Sequence, residues 1–446
     1  MQELIGETQS LCPECLKRIP ATKIAKNGKV YLEKTCPQHG QYKVLIWRQN
    51  AQHYLDWSGG SERGSGPARN FTPIDKGCPY DCGLCPEHGT RACTMVMELT
   101  LKCNLACPVC FASAVKKQTI EPTIEQVRRM YEAAMEGAGV CTIQLSGGEP
   151  TLRDDLPQIV ALGQKIGFSH ILINTNGVRI AKEPDYLKRL KQSGASAIYL
   201  QFDGVSDDVY RKIRGRNLLK IKLQAMANCA REKIGVVLVP TIVPRINDQQ
   251  IGDIIRFAKD WIPIVKGVHI QPVSYLGRYP HSPADDDRIT IPDVIKALET
   301  QTGGELKSKD FLPRHVQESH CSFSSFFLLS EDGRLQSMAD IAGDSVNSLG
   351  SIDNNIPEES SRKFMADHWQ FNETCCCESP NRGDFLDQLL NYYLTITCMP
   401  FQDVWNLDLE RLRACCGHLV TRDSRVIPFC AYYLTSASGQ RLYPGS

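Results

Sequence analysis

The sequence predicts an α/β fold, a partial (βα)6 TIM-like barrel with cysteine-rich metal-binding extensions at its N-terminal and C-terminal ends. Strand and helix patterns alternate between residues 96 and 275, polar residues follow the strands, and all but two of the 20 cysteines lie outside residues 111–300. Strands that alternate with helices indicate a parallel sheet with right-handed crossovers. Six such units in about 175 residues are fewer than the eight of a closed barrel.

The elements can be followed in order. A first helix is predicted after Thr123, which with Gln126 forms a capping box, and Val127, Met130 and Tyr131 continue at helical spacing. Further helices are expected over 156–166 and 186–192, up to residue 232, and over 248–261. The six predicted strands cover 96–102, 140–145, 171–175, 197–202, 235–243 and 267–271.

Polar side chains lie where these strands end. The carboxyl ends of parallel strands share one edge, where such sheets bind ligands. We therefore expect one ligand-facing rim, with the cysteines at 103–110 on it. Its polar members are Ser146, Glu149, Asn174, Asn176, Gln201, Asp203 and Gln271.

Composition narrows the class of protein. With 51 basic and 50 acidic residues the net charge is +1, which disfavours a nucleic-acid partner. The first ten residues are not a signal peptide, and the sequence has no run of about 18 apolar residues, so we expect a cytoplasmic protein without a transmembrane segment. Disulfides are disfavoured in that compartment, so the cysteines indicate metal sites. Cys141 and Cys229 stand singly in apolar stretches and are expected in the core.

The strongest motif is Cys103-Asn-Leu-Ala-Cys107-Pro-Val-Cys110. Three thiolates at this spacing suit three corners of a 4Fe–4S cluster and leave one iron open for a substrate or cofactor, whereas a structural zinc site needs four ligands. Gly147-Gly148-Glu149-Pro150 follows the second strand, where glycines allow close approach of a ligand and a carboxyl could hold an ammonium group.

This motif pair resembles the radical S-adenosylmethionine (radical SAM) superfamily over residues 96–275. The resemblance implies that Cys103, Cys107 and Cys110 hold the 4Fe–4S cluster. Members often have an aromatic residue near the adenine just before the third cysteine; here Val109 stands there and Phe111 follows. The implied contacts to SAM come from Gly147, Gly148 and Glu149 to its amine, and from Asn174, Asn176, Gln201 and Asp203 to its ribose, its carboxylate or the substrate.

The chemistry implied by the resemblance is reductive cleavage of SAM. One electron from the cluster breaks the S–C5′ bond, and the 5′-deoxyadenosyl radical abstracts hydrogen from an unactivated carbon. A one-electron donor of the flavodoxin or ferredoxin type is the implied partner.

Two further cysteine groups precede the barrel. Cys12, Cys15 and Cys36, with His39 or a distant cysteine, resemble a rubredoxin or zinc-ribbon knuckle that holds a mononuclear iron or zinc. The second group is dense enough for an auxiliary 4Fe–4S cluster, with a zinc site as the alternative. Its members are Cys78, Cys82, Cys85 and Cys93.

The C-terminal region carries a narrower resemblance. Phe401-Gln-Asp-Val-Trp, Cys415-Cys416-Gly-His418 and Ile427-Pro-Phe-Cys430, with the N-terminal knuckle and Leu200-Gln-Phe-Asp-Gly204, resemble the group of archaeal tetraether lipid synthase and methanopterin-type pterin methylases. It implies Cys415 and Cys430 as ligands of another cluster. Residues considered as additions are Cys321, Cys398, one or two of Cys375, Cys376 and Cys377, and the histidines His315, His320 and His418.

Four segments are therefore expected: a metal knuckle (1–57), a linker and auxiliary-cluster segment (58–95), the barrel (96–300) and a cysteine-rich C-terminal domain (301–446). The predicted function is that of a radical SAM transferase that methylates, or forms a C–C bond on, a small organic or lipid substrate. The alternatives are an iron–sulfur electron-transfer protein, against which Gly147–Pro150 speaks, and a zinc-ribbon nucleic-acid module, which the charge disfavours.

Overall fold

The computed structural model describes residues 2–58, 66–67, 69–115, 120–313, 318–338 and 391–444. Its strands form a four-stranded antiparallel sheet and a large thirteen-stranded sheet. His315, the cysteines at 375–377 and most of the predicted linker lie outside the described residues.

The N-terminal sheet is a simple meander. It consists of β1 (Gln2–Leu11), β2 (Arg18–Lys26), β3 (Lys29–Cys36) and β4 (Gly40–Trp47), followed by helix α1 (Ala51–Ser58). Asn27 and Gly28 both have positive φ between β2 and β3, as a tight two-residue hairpin requires. The meander brings the loop after β1 and the turn after β3 to the same end, so the predicted ligand cysteines of this region meet there.

The barrel strands run parallel in sequence order, which confirms the predicted α/β barrel core. They are β5 (Thr94–Glu98), β6 (Thr142–Ser146), β7 (Ile171–Thr175), β8 (Ala197–Gln201), β9 (Gly235–Val239) and β11 (Val265–Pro272), while the short β10 (Thr241–Ile242) pairs with the end of β11. The helices that surround them are α2 (Ile124–Ala138), α3 (Leu156–Ile166), α4 (Val178–Lys182), α5 (Pro184–Gln192), α6 (Asp207–Arg214), α7 (Leu219–Arg231), α8 (Ile251–Asp260) and α9 (Ile291–Gln301).

Local sequence explains the first of these helices. The Thr123 hydroxyl accepts a hydrogen bond from the Gln126 backbone at 3.2 Å, and the Gln126 side chain accepts one from the Thr123 backbone at 2.9 Å. The predicted face of Val127, Met130 and Tyr131 is fully buried. The capping box and the periodicity thus place α2 as the sequence predicts.

The C-terminal strands extend the barrel sheet at both edges. Strand β15 (Tyr393–Cys398) pairs in parallel with β11, and β16 (Gly417–Val420) pairs in parallel with β5. The region expected as a C-terminal domain therefore shares its sheet with the barrel. Its remaining elements are β12 (Leu312–Pro313), β13 (Phe323–Leu329), β14 (Leu335–Ser337), β17 (Val426–Pro428), α10 (Leu409–Arg413) and α11 (Phe429–Tyr432).

The main core lies between the barrel strands and their helices, and it contains Cys141 and Cys229 as the sequence predicts. Within the described part of the chain, no helix is both long and apolar enough to cross a bilayer.

Candidate active site and metal centres

The three cysteines of the central motif lie on one loop after β5. Cys103 is buried, Cys107 and Cys110 are half-buried, and all three line a cavity of about 280 Å³ at the carboxyl ends of the barrel strands. Burial raises the pKa of Cys103 to about 12. Burial disfavours the thiolate form, and binding to a metal stabilises it, so the loop suits a cluster.

Arg278 fixes the shape of this loop. Its backbone exchanges hydrogen bonds with Cys110 at 2.8 and 2.9 Å, and its guanidinium donates to the Cys107 carbonyl at 3.0 and 3.1 Å. A Cβ on the neighbouring Gly277 would lie 2.1 Å from the Phe111 carbonyl oxygen, so only glycine permits this approach.

Gly147 and Gly148 pack the loop after β6 directly against the chain that leads into the cysteines. A Cβ on Gly147 would lie 2.2 Å from the Thr100 carbonyl oxygen, and one on Gly148 would lie 2.4 Å from that of Lys102. Both glycines line the cavity with Glu149. The close packing explains why this loop has two glycines, independently of any ligand.

Glu149 joins two loops of the rim. Its carboxylate accepts hydrogen bonds from the Thr151 hydroxyl at 2.5 Å, the Thr175 hydroxyl at 2.6 Å and the Asn176 backbone at 2.7 Å. It is 1% exposed, and burial raises its pKa. The side chain therefore holds the ends of β6 and β7 together.

Asn176 and Gln201 lie on the same rim and share a buried lysine. Lys222 donates to the Asn176 carbonyl at 2.6 Å and to the Gln201 side chain at 3.2 Å, and the Asn176 amide donates to Asn104 in the cysteine loop at 2.7 Å. Burial lowers the pKa of Lys222 to about 8. Sequence analysis missed this lysine, whose only signal is a charged residue among the apolar positions of α7.

Asp203 lies behind the cavity wall rather than among the lining residues, and it accepts two hydrogen bonds from Arg214, at 2.7 and 2.8 Å. Arg214 lines the cavity and interacts with Cys107. Burial alone would lower the pKa of Arg214. The interactions with Asp203, and then with Cys107, favour the cation more strongly, so the pKa is raised. Sequence analysis did not identify Arg214. It expected Asp203, which binds Arg214, to contact SAM or the substrate.

Phe111 contributes an aromatic wall to the cavity. Its ring packs edge-on against Phe429 at 5.3 Å and Tyr433 at 5.0 Å between centroids, and Phe401 packs at a tilt against Phe429 at 4.5 Å. The C-terminal segment thus supplies the apolar side of the cavity opposite the polar rim.

The N-terminal knuckle brings four ligand atoms together. Those of Cys12, Cys15, Cys36 and His39 all lie within 4.8 Å of one another. Burial raises the pKa of Cys36, but hydrogen bonds from Gln38 and His39 outweigh burial and lower this pKa to about 6. A three-cysteine, one-histidine set at these distances fits one tetrahedral metal ion.

Cys78, Cys82 and Cys85 lie together on a buried loop, with Glu87 and His88 beside them. A hydrogen bond between Cys78 and Cys82 lowers the pKa of Cys78 and raises that of Cys82. Three adjacent buried thiols offer ligand atoms to a metal, and the cluster expected at this loop stays a prediction.

Cys93 occupies a different place from the one expected. It directly precedes β5, its backbone donates to the Cys416 carbonyl at 2.8 Å, and it lines the main cavity. Burial, and then neighbouring thiols that include Cys93, raise the pKa of Cys415. The pairing of β5 with β16 thus holds Cys93 beside Cys416.

The thiols around Cys415 form a second buried group. Burial, followed by Cys430, Cys321 and Cys93, raises the pKa of Cys415, and burial raises the pKa of Cys321 to about 12 and that of Cys430 to about 11. Arg411 donates to the Cys321 sulfur at 3.3 Å. Cys415 thus interacts with Cys430, Cys321 and Cys93, and these cysteines together offer four ligand atoms.

The other candidates lie elsewhere. Cys398 is in the apolar core of the barrel. His418 lies against His88, with 3.1 Å between their Nε2 atoms, while His320 contacts Glu318 and the Tyr54 carbonyl at 2.8 and 2.9 Å.

This fold and site define a class of protein, and the sequence matches the Radical SAM superfamily over residues 97–258. It also matches the HMPTM N-terminal zinc ribbon domain over residues 4–48. The chain belongs to the radical SAM superfamily and is a radical SAM enzyme, which confirms the prediction and sets aside the electron-transfer and nucleic-acid alternatives.

Among particular relatives, the 7,8-dihydro-6-hydroxymethylpterin dimethyltransferase of Methanocaldococcus jannaschii is 37% identical over an alignment that covers 96% of this chain and 93% of its own. A probable GTP 3′,8-cyclase of Methanothermobacter thermautotrophicus is 26% identical over 43% of this chain and 60% of its own. Of the solved structures, Streptococcus suis SuiB bound to precursor peptide SuiA covers 68% of this chain and 69% of its own, with 13% identity and a TM-score of 0.41.

Proposed function

We propose that this enzyme methylates a carbon of a dihydropterin, a small planar nitrogen heterocycle. The observation that carries the proposal is the 37% identity to a 7,8-dihydro-6-hydroxymethylpterin dimethyltransferase across nearly the whole length of both chains. The barrel cavity of about 280 Å³, with polar side chains deep inside it, supports a compact substrate.

In this proposal Cys103, Cys107 and Cys110 hold the 4Fe–4S cluster at the mouth of the cavity. When bound there, the cluster would supply the electron for the reductive cleavage of SAM. Gly147 and Gly148 present backbone to the SAM amine, and Arg214 faces its carboxylate.

The remaining contacts to SAM follow from positions on the rim. Asn176 and Gln201, held by Lys222, face its ribose. Phe111 stands at the edge of the aromatic wall, where its ring contacts the adenine. Glu149 and Asp203 act through the groups they hold, because their carboxylates are already bonded to the protein.

Two auxiliary 4Fe–4S clusters complete the proposal. One is held by Cys93, Cys321, Cys415 and Cys430, because the thiol of Cys415 interacts with those of the other three. Of these four cysteines, Cys93 also lines the main cavity. The other is held by Cys78, Cys82 and Cys85.

We infer that Cys12, Cys15, Cys36 and His39 hold one zinc ion, in keeping with the zinc-ribbon match and the spacing of the ligand atoms. Its role is to stabilise the N-terminal sheet. A flavodoxin or ferredoxin is the proposed electron donor, and a reducing cytoplasm is the compartment that suits so many thiols.

The proposal is tested with anaerobically reconstituted enzyme, dithionite, SAM and 7,8-dihydro-6-hydroxymethylpterin deuterated on its ring and side-chain carbons. We expect deuterium to appear in 5′-deoxyadenosine and a methylated pterin to accumulate, both measured by mass spectrometry. One SAM is cleaved to methionine and 5′-deoxyadenosine, a second SAM supplies the methyl group and leaves as S-adenosylhomocysteine, and dithionite supplies the two electrons. Enzyme with Cys103→Ala, Cys107→Ala and Cys110→Ala is the control and should form neither product. If SAM is cleaved but the pterin is neither labelled nor methylated, and the chains of an added archaeal-type lipid are coupled, the enzyme is a lipid-coupling enzyme and pterin methylation is contradicted.

A further inference from the structure

A layer of polar side chains crosses the inside of the barrel, one step deeper than the rim. Because strand residues alternate between faces, residues two positions before the rim point into the same cavity. The layer consists of the cavity-lining residues Gln144 on β6, Asn174 on β7, Tyr199 on β8, His269 on β11 and Thr397 on β15.

Strand pairing brings members of this layer together, with Gln144 opposite Leu172 and so one diagonal step from Asn174. Asn174 is directly opposite Tyr199, and His269 is directly opposite Thr397. Two positions earlier on the strands, Leu172 and Ala197 belong to a small apolar cluster that closes the barrel below. The polar layer is therefore the floor of the cavity, and a substrate beneath the cysteine loop rests on it.

One acceptor on this floor has no partner. The Asn174 amide donates to the Gln144 side-chain oxygen at 3.0 Å. The Asn174 side-chain oxygen is buried and has no hydrogen bond within the described residues. Buried polar atoms are nearly always paired, so an unpaired acceptor on a cavity wall points to a ligand that donates to it.

The same hydrogen bond orients the neighbouring side chain. Since the Gln144 oxygen accepts from Asn174, the Gln144 amide is left to present its N–H groups. The floor thus offers an acceptor and a donor side by side. Across the barrel, His269 and Thr397 share a hydrogen bond of 2.7 Å and form a second polar edge.

We propose that Asn174 and Gln144 form the substrate subsite that binds the lactam edge of a planar heterocycle. The lactam N–H donates to the Asn174 oxygen and the adjacent C=O accepts from the Gln144 amide. This inference rests on the proposed function and assigns the 4-oxo pterin edge to these two residues. A hydrocarbon tail would leave the Asn174 oxygen unpaired, so the floor disfavours a lipid at this depth.

The test compares two pteridines on the anaerobically reconstituted wild-type holoenzyme with SAM. One is 7,8-dihydro-6-hydroxymethylpterin, and the other is its 4-amino analogue, in which donor and acceptor are exchanged at the edge. Because the wrong edge leaves buried groups unpaired, we expect the 4-amino analogue to bind about ten- to a hundredfold more weakly, as measured by fluorescence titration.

Asn174→Leu keeps the size of the side chain and removes the acceptor. We expect it to weaken pterin binding by a similar factor, to lose the preference for the 4-oxo edge, and to keep the wild-type affinity for SAM. Asn217→Leu, at an exposed position on the loop after α6, is the matched control and should bind both pteridines as wild type does.

The outcomes separate the subsite from the function. If wild type binds the pterin but makes no distinction between the two edges, the subsite is wrong and the proposed function stands. If wild type binds neither pteridine, the proposed function fails and the subsite fails with it. The wild-type comparison decides the matter even if Asn174→Leu does not fold.

Discussion

The Arg214 guanidinium grips the Asp203 carboxylate with two hydrogen bonds, 2.7 Å from Nη2 to Oδ1 and 2.8 Å from Nε to Oδ2. Both side chains are nearly inaccessible to solvent, at 10% and 0% exposure. The pair holds a permanent positive charge against Cys107 in the cluster loop. A rigid cation beside a cluster ligand favours the reduced, more negative state of the cluster.

Removal of that charge should lower the reduction potential of the cluster. We expect Arg214→Met to shift the midpoint potential of the cluster, without SAM, by tens of millivolts in the negative direction. The measurement is a redox titration followed by electron paramagnetic resonance. Arg211→Met, an exposed position on the same helix, is the control, and equal shifts in both variants would contradict the role of Arg214.

The regrouping of Cys93 predicts a pattern of iron loss. Cys93→Ala should cost about four irons per chain, and adding Cys415→Ala should cost no more, because both ligands serve one cluster. Adding Cys82→Ala instead should remove about four further irons. Iron and sulfide analysis of the reconstituted variants provides the measurement. The opposite pattern would restore the grouping expected from sequence. In that case the Cys93→Ala, Cys415→Ala protein would lose more iron than Cys93→Ala alone, and the Cys93→Ala, Cys82→Ala protein would not.

Replacing a glycine of the Gly147–Gly148 pair, even by alanine, should destabilise the protein. In Gly148→Ala the new Cβ would lie 2.4 Å from the Lys102 oxygen and 2.8 Å from that of Leu101, so the backbone must move. We expect a loss of roughly 1–3 kcal/mol in unfolding free energy and poorer cluster incorporation. Urea unfolding checks the first effect. Gly6→Ala, where nothing lies within 4 Å of the new Cβ, should leave both unchanged.

His170 predicts a component of acid sensitivity. Burial lowers its pKa to about 4, below the value near 6.5 of an unfolded histidine. Between these values the unfolded chain binds the extra proton, so stability falls as pH drops, by up to about 1.4 kcal/mol per pH unit. We expect the stability of His170→Leu relative to wild type to improve as pH falls from 6.5 to 4. Thermal melts of both proteins across this pH range provide the measurement, and a constant difference between them would contradict the prediction.

The N-terminal metal can be removed without touching the barrel. Cys36→Ser should lose one metal ion per chain and lower the melting temperature, because the four ligand atoms lie within 4.8 Å of one another. Elemental analysis of the purified protein provides the count. Cys141→Ala removes a core thiol and should keep the metal. Retention of the ion in Cys36→Ser would exclude this ligand set.

Sequence was a good guide where the cause is local. The six strands of the barrel, the capping box at Thr123 and the cysteine loop are all encoded within a few residues. The pairing of β15 with β11 and of β16 with β5 depends on contacts between segments far apart, which no local pattern reports. For the same reason Cys93 could not be matched to Cys415, nor Asp203 recognised as the anchor of Arg214.

The two late strands have a consequence for how the protein is made. During synthesis β5 and β11 leave the ribosome as bare sheet edges, and their partners β16 and β15 follow only after residue 392. Bare edges readily pair with other chains. The two edges of the nascent barrel therefore stay unpaired until the last strands emerge, and Cys93 meets Cys415 only in the finished chain.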